Sequence, residues 1–441
     1  MNITDVIIDL RMVYSLSLPH YEDGKKVKKK SLAISTSILI GILFFMQTIA
    51  VFAALSLEDV TTWGWGTGNR LNSVAVGDVD GDGKKEIVTG GYYSEDMHWV
   101  AQLCVWDGTT RVCEGVKTWY WIGDTRISSV AVGDVDGDGD MEIVTGGYCY
   151  GSAQLCVWDG ETLVLEGVRT WKWVENTEIR SVAVGDVDGD GDMEIMTGGD
   201  YLSGSFRVAQ LCVWDGETLV LEGVRTWKWA ESTEVSSVAV GDVDGDGQME
   251  IVTGGVYSVY SIGVHAQLCV WDGETLVLEG VRTWYWDYGI LINSVLVGDV
   301  DGDGQMEIVT GGAYWGGPYN SQLCVWSGAT LALEDVTTWY WNHDTYVWSV
   351  AIGDVDGDGD MEIVTGGHYT DGFGGYRIAQ LCVWDGATLA FEDVKTWNWI
   401  GDTIIFSVAI GDVDYDGQVE IMTGGYYIDG THVVAQLCVW A

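Results

Sequence analysis

The richest chemistry in this 441-residue sequence sits in seven short acidic strings of the form D-x-D-x-D-G-x-x-E. Their carboxylates are Asp78, Asp80, Asp82 and Glu86; Asp134, Asp136, Asp138 and Glu142; Asp186, Asp188, Asp190 and Glu194; and Asp242, Asp244, Asp246 and Glu250. The later three are Asp299, Asp301, Asp303 and Glu307; Asp354, Asp356, Asp358 and Glu362; and Asp412, Asp414, Asp416 and Glu420. Alternate carboxylates along a tight turn converge on one hard cation, and oxygen-only ligation selects calcium. The strings are not EF-hands, because the twelfth position of the first is Thr89 instead of a bidentate glutamate. A solvated Asp-Gly turn would account for one copy. Seven copies that keep all four carboxylates point to about seven Ca2+ sites.

Charge supports that expectation. Residues 55–441 hold 62 acidic and 15 basic side chains, and the acidic strings contribute 28 of the carboxylates. Without counter-ions each string packs four negative charges within a few ångströms, which is destabilising. The expected metal is therefore structural, and the fold should depend on calcium. A formal charge of −45 over the whole chain excludes nucleic acid as a partner, since phosphate recognition needs a basic face. An apolar fraction of 47% excludes a disordered chain.

The elements that must position these strings repeat with them. QLCVW occurs seven times, with its Trp at 106, 158, 214, 271, 326, 384 and 440. L-E-[DG]-V-x-T-W, with small variations, ends at Trp63, Trp119, Trp171, Trp227, Trp284, Trp339 and Trp397. Successive first aspartates are 56, 52, 56, 57, 55 and 58 residues apart, and all the variation falls between TGG and the next [AS]-Q-L-C. Each unit reads as four short strands: A (SVAVGDV), B (EIVTGG), C (AQLCVW) and D (LEGVRTWKW). Strands A to C are apolar nearly throughout, so both faces are buried. Strand D carries Lys117, Arg169, Arg225, Arg282 or Lys395 and suits an exposed edge.

Seven four-stranded units of this kind predict an all-β, seven-bladed β-propeller over residues 55–441. A D-type strand at 55–65 precedes the first A strand, and the chain stops after the seventh C strand. The last blade should therefore close with a strand from each end.

The acidic turns and the repeat resemble the FG-GAP (VCBS-type) repeats of integrin α-subunit propellers and microbial surface proteins. TGG stands where that family's Gly-Ala-Pro lies. The resemblance implies calcium loops on one face and ligand contacts on the other, at the B–C and D–A loops. Trp99 and Trp315, outside the repeated tryptophan positions, are ligand candidates there, as are Tyr150, Tyr260, Tyr319, Tyr376, His98, His265, His368 and His432. The repeated tryptophans read as blade packing.

Seven cysteines (104, 156, 212, 269, 324, 382 and 438) share one strand-C position and read as small buried hydrophobes. Cys113, counted back across the turn, falls opposite Cys104 and makes a cross-strand disulfide an open expectation; Cys149 has no evident partner. Residues 1–54 differ from the rest: Lys25, Lys26, Lys28, Lys29 and Lys30 precede an uncharged run over 31–54, expected to be a hydrophobic helix. That pattern fits a cleaved signal peptide or a retained membrane anchor, and either exports the remainder. The leading functional expectation is a secreted or cell-surface module that binds a glycan or protein. A polysaccharide lyase or hydrolase using unrepeated groups such as Asp200, Asp371, His368 or Asp429 is the alternative, as is a structural envelope or filament component.

Overall fold

The computed structural model describes residues 55–441 apart from 122, 261, 287, 288 and 373. The segment read as a signal or anchor lies outside the described residues. Twenty-eight strands, numbered β1 to β28 in chain order, form seven four-stranded antiparallel sheets. Blade I spans 67–119, blade II 125–171, blade III 175–227, blade IV 232–284, blade V 290–339 and blade VI 345–397. Blade VII joins 403–440 to β1 (Leu57–Trp63), which pairs with β28 (His432–Trp440). Ser56 and Ala441 also exchange backbone hydrogen bonds of 2.6 and 3.1 Å, so the two ends of the described chain close the ring.

Neighbouring blades bury one hydrophobic layer per interface. Between blades I and II, Val88, Leu103 and Val105 meet Ile127, Ile143, Cys156 and Trp158; between VII and I, Leu437 and Val439 meet Leu71, Ile87 and Trp106. Each fully buried aliphatic side chain is worth about 1.5–3 kcal/mol. Polar contacts repeat around the ring as faithfully. The indole N–H of each first strand-D tryptophan donates to a glutamine of the next blade, from Trp63 to Gln102 through Trp397 to Gln436, at 2.8–3.2 Å. The same tryptophans pack on the QLCVW tryptophans at centroid distances of 4.6–4.8 Å. On the innermost strands, a valine N–H donates to a serine Oγ of the preceding blade at 3.0–3.2 Å in all seven steps, the closing one from Val74 to Ser407.

Three sequence expectations change in detail. Strand D is the outer edge, but Arg169, Arg225 and Arg282 reach across to the next blade: Arg169 donates to Leu219 O at 2.9 Å and Thr218 O at 2.8 Å. Their charge ties blades together as well as guarding an edge. Cys104 and Cys113 are free thiols, and a bulge sets Cys113 opposite Trp106 while Cys104 faces Val116. A hydrogen bond from the Cys104 thiol draws the Cys113 thiol down to about 7. Finally, strands B and C run on into the segments read as loops, as in Glu86–Glu95 and His98–Asp107, so Trp99, Trp315, Tyr319, His265, His368 and His432 lie on hairpin strands. Valine, tyrosine and tryptophan in those segments favour extended backbone.

Each innermost strand carries a β-bulge at one position, between Leu71 and Ser73 in blade I and at the matching place in the other six. The glycine pair of TGG lies opposite. A Cβ on Gly91 would stand 2.0 Å from Arg70 O, and the same clash recurs at Gly147. Only glycine allows the bulged strand to come so close.

Candidate functional site

A–B and C–D turns share one rim of the ring, because all seven A strands run the same way; B–C hairpins and D–A loops share the other. On the first rim, the oxygen atoms of Asp78, Asp80 and Glu86 lie within 4.8 Å of one another, as do those of the matching groups in blades II to IV. Blade VII brings together all four carboxylates: Asp412, Asp414, Asp416 and Glu420. The turn organises itself through backbone donors. Gly83 N–H donates to Asp78 Oδ2 at 3.0 Å, Asp82 N–H to Asp80 Oδ1 at 3.0 Å, and Val79 N–H to Glu86 Oε2 at 2.8 Å. Asp82 accepts from Lys84 N–H at 2.8 Å and closes the turn outside the converging group.

The donor set fits a divalent cation. Asp78 Oδ1, Asp134 Oδ1 and Asp242 Oδ1 are buried without any hydrogen-bond partner. Burial pushes Glu86, Glu142, Glu194, Glu250, Glu307 and Glu362 up to about 7 and Glu420 to about 6, each against a backbone donor that lowers it. Buried carboxylates short of positive partners are what a bound cation would satisfy. The residues that would hold it are the first two aspartates and the glutamate of each loop, joined by the third aspartate in blade VII. Strand D adds an acid that sequence reasoning left aside: Glu114 and its equivalents Glu166, Glu222, Glu279, Glu334 and Glu392 are raised by burial and then by nearby aspartates. Its recurrence in every copy of L-E-[DG]-V was the available signal.

Residues 134–197 and 299–365 match the FG-GAP-like repeat, and both matches begin on the first aspartate of a loop. The chain carries FG-GAP-like repeats. The Dos1 propeller is a structural neighbour, with a TM-score of 0.52 and 12% identity over 88% of this chain and 95% of that one, which bears on the fold alone. No curated protein sequence matches the chain.

On the other rim of the ring, the second tryptophan of each T-W-x-W leaves strand D and enters the D–A loop. Trp65, Trp121, Trp173 and Trp399 are 37–47% exposed. Trp65, Trp173, Trp229, Trp286, Trp341 and Trp399 each pack on a tyrosine of the following blade, Tyr93, Tyr201, Tyr257, Tyr314, Tyr369 and Tyr427, at 5.2–6.5 Å. Cys149 occupies the seventh tyrosine position, which accounts for this otherwise solitary thiol. The repeated tryptophans thus divide into an inner packing set and an outer set, of which Trp65, Trp121, Trp173 and Trp399 are exposed and Trp229, Trp286 and Trp341 half-buried.

The unrepeated candidates do not gather in one place. Tyr150, Tyr260 and Tyr376 are exposed at hairpin tips, and His432 is exposed beside one in blade VII. His98 stacks on Tyr120 at 6.2 Å, His265 is sandwiched between Tyr257 and Tyr285, and Trp99 packs on Tyr92 while its backbone N–H donates to Asp124 Oδ1. Trp315 and Tyr319 meet at 4.7 Å and line a groove of about 340 Å³ with Val264 and Leu291. Asp200 is fully buried between Arg180 and Arg207, Asp371 accepts from Asn342 in blade VI, and Asp429 sits at the blade VII hairpin. His368 is buried, its Nδ1 accepting from the Trp348 indole at 3.0 Å, and desolvation drives its imidazole down to about 3.

One set does converge. The bulge positions Asn72, Ser128, Arg180, Ser236, Asn293 and Trp348, from six successive blades, line a single cavity of about 350 Å³ together with Arg70 and Arg126. Six blades can share one cavity only at the central axis, and the start of strand A places it at the rim away from the acidic turns. A bulge re-aims the extra residue out of the ladder. Sequence reasoning passed over these residues, although their variation inside an otherwise repeated S-V-A-V-G strand marks them.

Proposed function

We propose that this chain is a calcium-stabilised ligand-binding module of the cell exterior, with its acidic rim structural and its opposite rim open to a glycan or protein. The division of the ring supports it: identical carboxylate turns at one end, exposed tryptophans and unlike side chains at the other. Rigid aromatics on a fixed scaffold suit recognition, since they lose little entropy on binding. Export rests on the lysine cluster and apolar run before residue 55. Calcium titration should give about seven sites per chain, and arrayed glycans and surface proteins should capture the calcium-loaded chain. Captured ligand should be released by Trp173→Ala with Trp399→Ala. Capture that survives all opposite-rim substitutions but disappears with Asp80→Asn would place the ligand on the acidic rim and reject the reading.

A further inference from the structure

The channel mouth has two unlike arcs. Blades I to IV supply charge: Arg126 pairs with Glu178, and Arg180 with Asp200 at 2.7 Å and Glu234 at 3.1 Å. Arg207 joins Asp200 and Glu234 behind them. Four of the nine arginines in residues 55–441 therefore collect at one spot of a strongly acidic chain. Arg70 differs from the other three. Among the described residues it makes no ion pair, and its guanidinium lies 4.9 Å over the Tyr426 ring. It is the positive charge left for a ligand.

Blade VI supplies the aromatic wall in Trp348, and Tyr92 of blade I also lines the cavity. Trp348 is held by its hydrogen bond to His368 and by Tyr346 and Phe406 at 5.8 and 5.6 Å, so its ring lines the cavity in a fixed pose. Between the arcs, Asn72 and Asn293 each donate one amide N–H, to Ile127 O and Val347 O at 2.7 and 2.6 Å, which fixes the carboxamide. Each keeps its Oδ1 as an oriented acceptor, which calls for hydroxyl donors on a ligand. An unpaired guanidinium calls for a carboxylate. A flat indole face calls for an apolar ring face. The cavity is at the small end of the range for small-molecule sites, ~300–1,000 Å³.

We propose that this mouth binds an acidic sugar, with its carboxylate on Arg70, its hydroxyls on the Asn72 and Asn293 carbonyls, and the C–H face of its ring on Trp348. Such a site presupposes the ligand-binding reading above and narrows its chemistry to a uronate-type residue.

Titration calorimetry of the full chain with trigalacturonate and galactotriose, calcium held in constant excess, tests it. Trigalacturonate should bind at least tenfold more tightly than galactotriose. Arg70→Gln should weaken trigalacturonate at least tenfold and leave galactotriose unchanged, with the thermal midpoint unmoved. Ser236→Trp, which fills the mouth from another blade, should abolish both. Equal affinity for the two sugars, or binding that survives both Arg70→Gln and Ser236→Trp, overturns the site. If trigalacturonate does not bind while an arrayed glycan or protein does, and Trp173→Ala with Trp399→Ala releases it, the mouth is overturned and the general reading stands. No capture of any ligand would sink both.

Discussion

The two rims of the ring are built from the same strands yet obey opposite rules. At the acidic rim every A–B turn keeps its length, its carboxylates and the glycine after the third aspartate, with Tyr415 in place of the other glycine in the last copy alone; at the other, B–C hairpins differ in length and in almost every tip residue. The difference follows from what each turn must satisfy. An acidic turn has to bring several carboxylate oxygens within a few ångströms, and any change in length or acid breaks that geometry. A B–C hairpin only has to reconnect two strands already in register, as Asp96 and Met97 do with two positive-φ residues. Uniformity therefore marks the end bound by a shared carboxylate geometry, and variation marks the end under no such constraint.

The sharpest break would come from opening the ring itself, on which both rims depend. Deleting residues 55–65 removes β1 from blade VII, exposes the edge of β28, and takes away the Trp63 packing against Trp106. We expect no cooperative unfolding transition and aggregation of the product, since an unpaired strand edge recruits other chains. A melting curve like that of the full ring would refute closure.

Calcium removal comes next and separates the rims. A chelator should lower the thermal midpoint by tens of degrees, because up to seven ligated sites lose their ions together. Calorimetry with and without calcium reads this directly; an unchanged midpoint would mean that the acidic turns are self-sufficient. A finer version compares single residues. Glu86→Gln removes one ligand and should cost calcium affinity at that loop with about 1–3 kcal/mol of stability in calcium. Tyr260→Ser, on the exposed hairpin of blade IV, should stay within about 0.5 kcal/mol of the parent. Equal costs for the two would erase the distinction between the rims.

Most of this organisation was legible in the residues. The period, the acidic turns and the misplaced first strand yield the blade count and the closure without coordinates, because each is a local pattern repeated seven times. The converging site was harder to read. Trp99, Trp315 and the hairpin tyrosines stand out by type, but their positions around a ring 28 strands long scatter them over different blades. Asn72, Ser128, Arg180 and Trp348 converge because a bulge turns each toward the axis, and a bulge is a feature of strand pairing that residue type does not announce. The exposed tryptophans were hidden for the opposite reason: T-W-x-W repeats perfectly, and repetition reads as packing even where the second ring leaves the strand. Trp173 and Trp399 are the cost of that inference.

The smallest effect concerns how firmly the varied rim holds its own residues. His368 belongs by type to the candidate ligand groups, yet it is buried and accepts a hydrogen bond from Trp348. Burial, followed by the charge of Arg377, lowers its folded-state midpoint to about 3 from an ordinary value of 6.5. The sign then runs in one direction. The neutral imidazole contributes stability above pH 6.5, and that contribution declines as pH falls from 6.5 toward 3. Proton NMR of the imidazole signals in calcium should show His368 still neutral at pH 5, with Trp348 fluorescence constant from pH 8 to pH 5. His368→Phe should keep the fold but free the indole N–H, shifting that fluorescence and weakening any ligand of the channel mouth by a few-fold. An ordinary midpoint near 6.5 would mean that water reaches this ring, and that the aromatic wall of the mouth is as loose as the hairpin tips around it.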